Sequence, residues 1–273
     1  MKQILVATDF SKSAANAFAY ALAMAKVLNM DVAAIHAIHP TEGINNSTYN
    51  AIFIESYYEN KRNALEHWAA QIREEQKLTE IKISTSCDVG FLRAVISEYT
   101  KKNAVELLVM GITGATGITG IVGSNASMVV SKMRIPTLIV PIESSFPSQP
   151  IITLATDYET RLSQNDILAL NEMLKASGTQ KMQVLYVAER SDEQHIQTGE
   201  NSIRALLPET QIEFNYIKDN SAPNGIMDFI EQNHTDILCL VKHHHNIIYR
   251  LFTTSTVNKV LNRSVKAILV LHE

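Results

Sequence analysis

Two halves of this chain repeat one order of sequence patterns, and the repeat constrains the fold more strongly than any other feature. In the first half an apolar segment ends in Ala7-Thr8-Asp9, and in the second half another ends in Ala155-Thr156-Asp157, 148 positions later. Further along, Thr137-Leu138-Ile139-Val140 corresponds to Ala267-Ile268-Leu269-Val270 at an offset of 130. Such a chain is expected to fold as two copies of one domain.

The boundary between the copies is predicted at a polar segment from Glu143 to Pro150, which is rich in serine and proline. We predict one domain at 1–143 and a second at 150–273. Each is long enough to bury a core of its own.

Within each copy, short β-rich segments alternate with longer segments of helical periodicity. This alternation predicts an α/β fold in which helices cover both faces of a parallel sheet. In the first copy we predict strands at 3–8, 31–37, 80–86, 105–110 and 136–140, with helices at 12–28, 55–77, 91–102 and 124–133. In the second copy we predict strands at 151–155, 182–187, 211–217, 236–241 and 266–271.

Bulk composition argues against several classes of partner. A net charge of −4 and a pI of about 6.1, with no cluster of Lys and Arg, provide no basic surface for nucleic acid. No apolar segment approaches the ~18 residues needed to cross a bilayer. Cys87 and Cys239 fall in or beside predicted strands of different domains, so we expect buried free thiols and a cytoplasmic location.

The candidate site lies where strands one and four of the first copy end. In an open parallel sheet, ligands bind beyond the carboxyl ends of strands at the point where strand order reverses. Asp9 ends strand one and supplies an acceptor, while Gly111 and Gly114 follow strand four and let backbone N–H groups approach phosphate oxygens. Ser124 and Asn125 begin the next predicted helix, whose positive end favours an anion. The pattern predicts phosphate binding.

The second copy lacks the features that make this loop suitable for phosphate. Val241, His244 and Thr253 occupy the positions that correspond to the glycines at 111, 114 and 123. Their Cβ atoms would crowd a phosphate, so we expect the second domain to be empty or weakly occupied. Asp157 is retained, as a ligand or as a turn residue.

Several blocks also resemble the universal stress protein family, in a tandem arrangement. The resemblance rests on Ala7-Thr8-Asp9-Phe10-Ser11, Ile35-His36-Ala37, Val89-Gly90 and the region from Met110 to Pro141. It implies two tandem five-stranded α/β sandwich domains of strand order 3-2-1-4-5, of the Rossmann-like type seen in adenine nucleotide α-hydrolases.

The same resemblance implies a ligand and its contacts. ATP-binding members share a Gly-x2-Gly-x9-Gly-Ser/Thr signature. It implies that ATP or a related adenine nucleotide binds the first domain, with no metal required by the sequence. The residues implied are Ala7, Thr8, Asp9, Ala37, Met110, Gly111, Gly114, Gly123, Ser124 and Asn125.

One spacing departs from that signature, because eight residues separate Gly114 from Gly123 where the family pattern has nine. The shorter loop favours an alternative function, a stress-response scaffold that binds no nucleotide and acts through protein association. A slow ATP hydrolase or nucleotidyl transferase is a third interpretation. Against it, the segment 111–125 has no Lys or Arg to offset developing charge, so fast turnover is not expected and no catalytic residue is assigned.

Two further segments admit two interpretations each. The polar insert at 41–58 is either a surface loop or a lid over the cleft. The run His243-His244-His245 is either a group of loop histidines or part of a metal site completed by Asp157 or His195. Adjacent residues seldom face one ion, so no metal ligand is assigned.

The last strand of each copy is apolar and is predicted to lie at a sheet edge. Proteins rarely leave such edges uncovered. In the family such edges pair across a pseudo-twofold axis. We therefore expect the two domains to pair within the chain, and a further homodimer is compatible with the same logic.

Overall fold

The protein is described by a computed structural model. It describes residues 2–42, 51–112, 124–142, 144–158, 163–176, 178, 181–188, 192–242, 257, 259–261, 264 and 266–272.

The first half contains five strands and four helices among its described residues, in strict alternation. They are β1 (Gln3–Ala7), α1 (Lys12–Leu28), β2 (Asp31–Ile38), α2 (Ala51–Glu75), β3 (Ile83–Val89), α3 (Leu92–Lys102), β4 (Val105–Ile112), α4 (Ser124–Lys132) and β5 (Thr137–Pro141).

The second half repeats the order of the five strands and of the first three helices. Its described elements are β6 (Ile152–Thr156), α5 (Gln164–Ala176), β7 (Lys181–Ala188), α6 (Glu193–Leu206), β8 (Gln211–Lys218), α7 (Ala222–Gln232), β9 (Ile237–Lys242) and β10 (Ala267–His272).

The ten strands among the described residues join one sheet in the order β3-β2-β1-β4-β5-β10-β9-β6-β7-β8. Within each half the order is 3-2-1-4-5 with parallel neighbours, which confirms the predicted fold class. The halves meet where β5 and β10 pair antiparallel, with Leu138 opposite Leu269. Unlike the strand order, the domain limits at 143 and 150 remain a prediction.

The sheet carries apolar side chains on both faces, and helices cover both faces. Every residue of β5, β6, β9 and β10 is buried, as expected for strands that are covered by helices above and below. One core lies against α1, α2, α5 and α6, and includes Phe18, Leu65 and Leu170. The other lies against α3, α4 and α7, and includes Ile96, Val129 and Ile226.

Several element boundaries differ from prediction, and the largest differences lie at the start of α2 and at both ends of β3. The helix begins at Ala51 rather than at 55, within the insert that was predicted as a surface loop or a lid, and β3 runs from Ile83 to Val89 rather than from 80 to 86. Lys77 adopts a left-handed conformation (φ 55°), and the N–H of Leu78 donates to the carbonyl of Arg73. This turn ends the helix, as in a Schellman motif. Leu78 and Ile81 are buried by the turn, not by the strand.

Candidate functional site

The candidate site begins with a tight turn after β1. The N–H of Phe10 donates to Oγ1 of Thr8 at 2.9 Å, and the N–H of Ser11 donates to Oδ1 of Asp9 at 3.0 Å. Phe10 is held at φ 63°, a left-handed conformation that is rare for a bulky residue and costs on the order of 1–3 kcal/mol. The turn leaves the Asp9 side chain exposed.

His36 supports this turn from the adjacent strand. Its Nδ1 lies 2.8 Å from the carbonyl oxygen of Thr8, and since a carbonyl can only accept, Nδ1 carries the hydrogen. The ring is buried and packs against Phe10 at a centroid distance of 4.6 Å. Phe10 in turn contacts Trp68 edge-on at 5.9 Å. Hydrogen bonding and aromatic packing therefore hold the strained turn together.

A cavity of about 410 Å³ opens beside the turn, at the carboxyl ends of β1, β2 and β4. One wall comes from the first turn of α1, another from the start of α3, and the last from the start of α4. The described lining residues are Ala7, Thr8, Asp9, Ser11, Ser13, Ala14, His36, Ala37, Leu92, Met110, Gly111, Ile112, Asn125 and Ala126.

The structure brings most of the predicted site residues to this one cavity. Those that line it are Ala7, Thr8, Asp9, Ala37, Met110, Gly111 and Asn125. Ser124 is the first residue of α4. Gly114 and Gly123 lie outside the described residues, so their predicted contacts stay predictions.

Sequence reasoning missed other lining residues, although their positions could have indicated them. Ser11 and Ser13 lie two and four residues after Asp9, at the start of α1. Leu92 follows the turn at Gly90, and His36 immediately precedes Ala37. Of these four, only His36 is next in sequence to a residue predicted for the site, whereas Leu92 lies near Gly90, which belongs to a block shared with the family.

Gly111 has a structural reason to lack a side chain that the sequence did not reveal. A Cβ at this position would lie 2.2 Å from the carbonyl oxygen of Ser13. The glycine therefore allows α1 to pack closely over β4. This close packing is by itself a sufficient reason for glycine at position 111, with or without a bound phosphate.

The cavity offers hydrogen-bonding groups but little charge. Asp9 is the one carboxylate among the described lining residues, and none of those residues is Lys or Arg. Asn125 lies in the first turn of α4, where free N–H groups and the helix dipole attract anions. The arrangement can bind a polar ligand through acceptors and N–H donors.

The ends of the polar insert are tied together next to the site. Glu42 accepts hydrogen bonds from the N–H of His39 at 3.0 Å and the hydroxyl of Tyr57 at 3.0 Å, and Lys61 lies 3.4 Å away. The His39 N–H, with help from Tyr57 and Lys61, lowers the pKa of Glu42. Residues 43–50 lie outside the described part of the chain, so the choice between lid and surface loop stays open.

The second half contains the same turn with different surroundings. Tyr158 also has a φ of 63°, and its N–H donates to Oγ1 of Thr156 at 3.0 Å. Unlike Asp9, however, Asp157 is buried, with 4% of its surface exposed. Its carbonyl oxygen accepts from Nε2 of His195 at 2.9 Å. The turn is retained in the second half, but its carboxylate is withdrawn from solvent.

A sequence model of the universal stress protein family matches residues 1–141. The chain belongs to this family.

Solved structures extend the likeness to both halves at the level of the fold. A universal stress protein from Archaeoglobus fulgidus DSM 4304 is 17% identical and superimposes with a TM-score of 0.76, over 98% of this chain and 97% of that one. A putative universal stress protein from Pseudomonas aeruginosa UCBPP-PA14 is 14% identical, with a TM-score of 0.62 over 99% and 92% of the two chains. The comparison with curated proteins found no match.

Two other properties of this universal stress protein bear on the earlier predictions. Across the described residues, no group of three or more His, Cys, Asp and Glu side chains is placed to hold a metal ion. The run at 243–245 lies outside those residues. None of the described helices is both long and apolar enough to span a membrane.

Proposed function

We propose that the first half of this universal stress protein binds ATP or a related adenine nucleotide and acts as a stress-response sensor or scaffold. The observation that carries the proposal is the cavity at the carboxyl ends of β1 and β4, with exposed Asp9 on one side and Asn125 on the other. The Asp9 carboxylate can accept hydrogen bonds from the hydroxyl groups of a ribose. The free N–H groups at the start of α4 can donate hydrogen bonds to phosphate oxygens.

Binding without fast turnover is the expected activity. Phosphoryl transfer depends on cationic groups that stabilise the charge developing on the transferred phosphate. The described lining residues supply no such cation. The segment 111–125 contains none either. The bound nucleotide would therefore act as a signal and not as a consumed substrate.

We propose that the second half has a structural role and binds no nucleotide. Buried Asp157 cannot present its carboxylate to a ligand as Asp9 can. We expect one nucleotide per chain.

Calorimetric titration of the full chain with ATP, ADP and GTP tests this proposal. Asp9→Ala is expected to weaken ATP binding roughly 10- to 100-fold, since a hydrogen bond to a charged group contributes about 1.5–3 kcal/mol. The matched control is Asp228→Ala, which removes an exposed carboxylate on α7. If wild type binds no adenine nucleotide, or if both variants bind equally well, the proposal fails. A folded chain without nucleotide affinity would favour the scaffold alternative.

A further inference from the structure

A second concavity lies between α3 and α4, and most of its lining is at the edge of the sheet opposite the cavity that contains Asp9. Its volume is about 370 Å³, and it reaches the residues at the amino ends of β4 and β5. We call it the α3–α4 groove. Its lining residues are Arg93, Ser97, Thr100, Val105, Glu106, Lys132, Met133, Arg134, Ile135 and Pro136.

The groove has an excess of positive charge in a protein of net charge −4. Arg93, Lys132 and Arg134 are exposed, and none of them forms an ion pair with another described residue. Glu106 is the one carboxylate in the lining, and it lies 3.6 Å from Nζ of Lys2. Three cations therefore share a concave surface with one carboxylate that already has a partner.

Cations at the end of a helix commonly serve the helix itself, because they compensate its free carbonyl groups. Here another residue performs that role. Lys242, at the end of β9 in the second half, donates to the carbonyl oxygens of Val130 at 3.0 Å and Ser131 at 2.6 Å. Its side chain is buried. The end of α4 is already capped by a cation, so Lys132 and Arg134 are additional positive charge.

The effect of Lys132 and Arg134 on Lys242 also indicates an excess of positive charge at this end of α4. Burial lowers the pKa of Lys242, and the nearby charges of Lys132 and Arg134 lower it further. The cations at this end of α4 therefore repel one another. An anion bound in the groove would relieve that repulsion.

The position of Arg93 is also unfavourable for the stability of α3. It lies in the first turn of α3, where the helix dipole disfavours a positive charge. Arg93, Ser97 and Thr100 follow one another at the spacing of a single helix face, and this face forms one wall of the groove. The Thr100 hydroxyl already donates to the carbonyl oxygen of Ser97, so the donors that the groove offers an anion include the guanidinium groups of Arg93 and Arg134 and the Ser97 hydroxyl. One guanidinium group can donate two parallel hydrogen bonds to the oxygens of a phosphate.

We propose that the α3–α4 groove binds a small anion that bears phosphate and carries at least two negative charges. Arg93 and Arg134 bind its oxygens directly, while Lys132 contributes charge and Ser97 a hydroxyl donor. No described residue lines both the groove and the cavity that contains Asp9, although Arg93 directly follows Leu92 of that cavity.

Pyrophosphate is a suitable probe for the full chain at low ionic strength. Binding is followed by calorimetry and by amide chemical shifts in NMR spectra. We expect shifts at Ser97 and Arg134, and a fall in affinity as salt is added. The double variant Arg93→Gln/Arg134→Gln is expected to lose at least about 10-fold in pyrophosphate affinity, from the loss of charge-assisted hydrogen bonds. Its ATP affinity should not change.

Two further variants make the result decisive. Arg62→Gln/Lys218→Gln removes two exposed cations elsewhere and should bind pyrophosphate like wild type. Arg134→Lys keeps the charge but loses the paired donors, and should fall between wild type and the double variant. Equal losses in the groove and control variants would overturn the proposal. So would shifts confined to Asp9 and Asn125, or no binding by wild type.

Discussion

At the scale of single residues, the turn at 8–10 shows how a strained conformation is kept in place. Phe10 stays left-handed because side chains of Thr8 and Asp9 accept the N–H groups of the turn. His36 supports the Thr8 carbonyl and packs against the Phe10 ring. Exposed Asp9 is therefore presented to the cavity by neighbours that do not depend on a ligand. The site is preorganised.

Removal of the His36 hydrogen bond tests this support. His36→Phe keeps a ring of similar size next to Phe10 but removes the donor to Thr8. We expect a loss of about 1 kcal/mol in the free energy of unfolding, the typical net value of one hydrogen bond. Denaturant unfolding, followed by Trp68 fluorescence, measures it. His67→Phe on the exposed face of α2 is the control and should change little. A His36→Phe variant as stable as wild type would show that the hydrogen bond is dispensable.

A second residue-scale prediction concerns Asp166 on α5. The side chain is buried and accepts a hydrogen bond from the hydroxyl of Ser163. Burial raises the pKa of Asp166 above its ordinary value of 3.8. The folded state therefore holds this proton more tightly than the unfolded state does. The stabilisation is fully present below pH 3.8 and is lost as pH rises through the raised pKa.

Asp166→Asn removes this titration. Relative to wild type, the variant should gain stability as pH rises from 4 to 7, because wild type must then bury a charge. Denaturant unfolding at several pH values measures the difference. Asp228→Asn, an exposed carboxylate on α7, should show little dependence on pH. A constant difference between Asp166→Asn and wild type would contradict the assignment.

At the scale of elements, the ends of α1 show how local sequence sets a helix that matters to the site. Ser11 caps the start, where its hydroxyl accepts the N–H of Ala14 at 3.2 Å. Asn29 ends the helix in a left-handed conformation, with φ 52° and ψ 50°. Between them the helix packs over Gly111 and lines the cavity with its first turn. The position of this helix therefore affects the shape of the cleft.

A pair of substitutions at one position tests the end of α1. Asn29→Ala should destabilise the protein by about 1–2 kcal/mol, because alanine pays the steric cost of a left-handed conformation. Asn29→Gly should be close to neutral, since glycine adopts it freely. Thermal or denaturant unfolding of the two variants measures the contrast. Asn29 is exposed, so lost packing does not confound the result. Equal stabilities would mean that the backbone conformation at 29 is not the controlling factor.

At the scale of the whole molecule, the halves are connected by more than the chain. β5 pairs with β10, which makes the sheet continuous. Asn16 donates to the carbonyl oxygens of Pro141 and Ser144, so α1 holds the segment that leads to the second half. Lys242 reaches from the second half to the end of α4 in the first. The pairing of β5 with β10 and the Lys242 hydrogen bonds would be lost if either half unfolded.

These connections predict cooperative unfolding. The single tryptophan, Trp68, lies in the first half and reports on it alone, whereas far-ultraviolet circular dichroism reports on both halves. We expect the two signals to follow one transition in denaturant. Two separated midpoints would mean that the halves are independent despite the shared sheet. Comparison of the two curves for wild type is sufficient.

By itself the sequence determined the type and order of the elements, the strand order through its family motifs, and the neighbourhood of the site. These features depend on patterns along a few adjacent residues, such as the spacing of apolar residues in α1 or the strand end at Ala7-Thr8-Asp9. The same locality explains the errors at α2 and β3. Leu78 and Ile81 are apolar because a turn buries them, and periodicity cannot distinguish a buried turn from the start of a strand.

Only the tertiary structure decided which distant groups meet. Gly111 faces the carbonyl of Ser13, which lies about a hundred residues earlier, and Lys242 caps a helix of the other half. Arg93 lies on α3 and Arg134 follows the end of α4, and the two form one basic groove only when the chain is folded. Such contacts follow from packing in three dimensions, where distance along the chain has no direct bearing on distance in space.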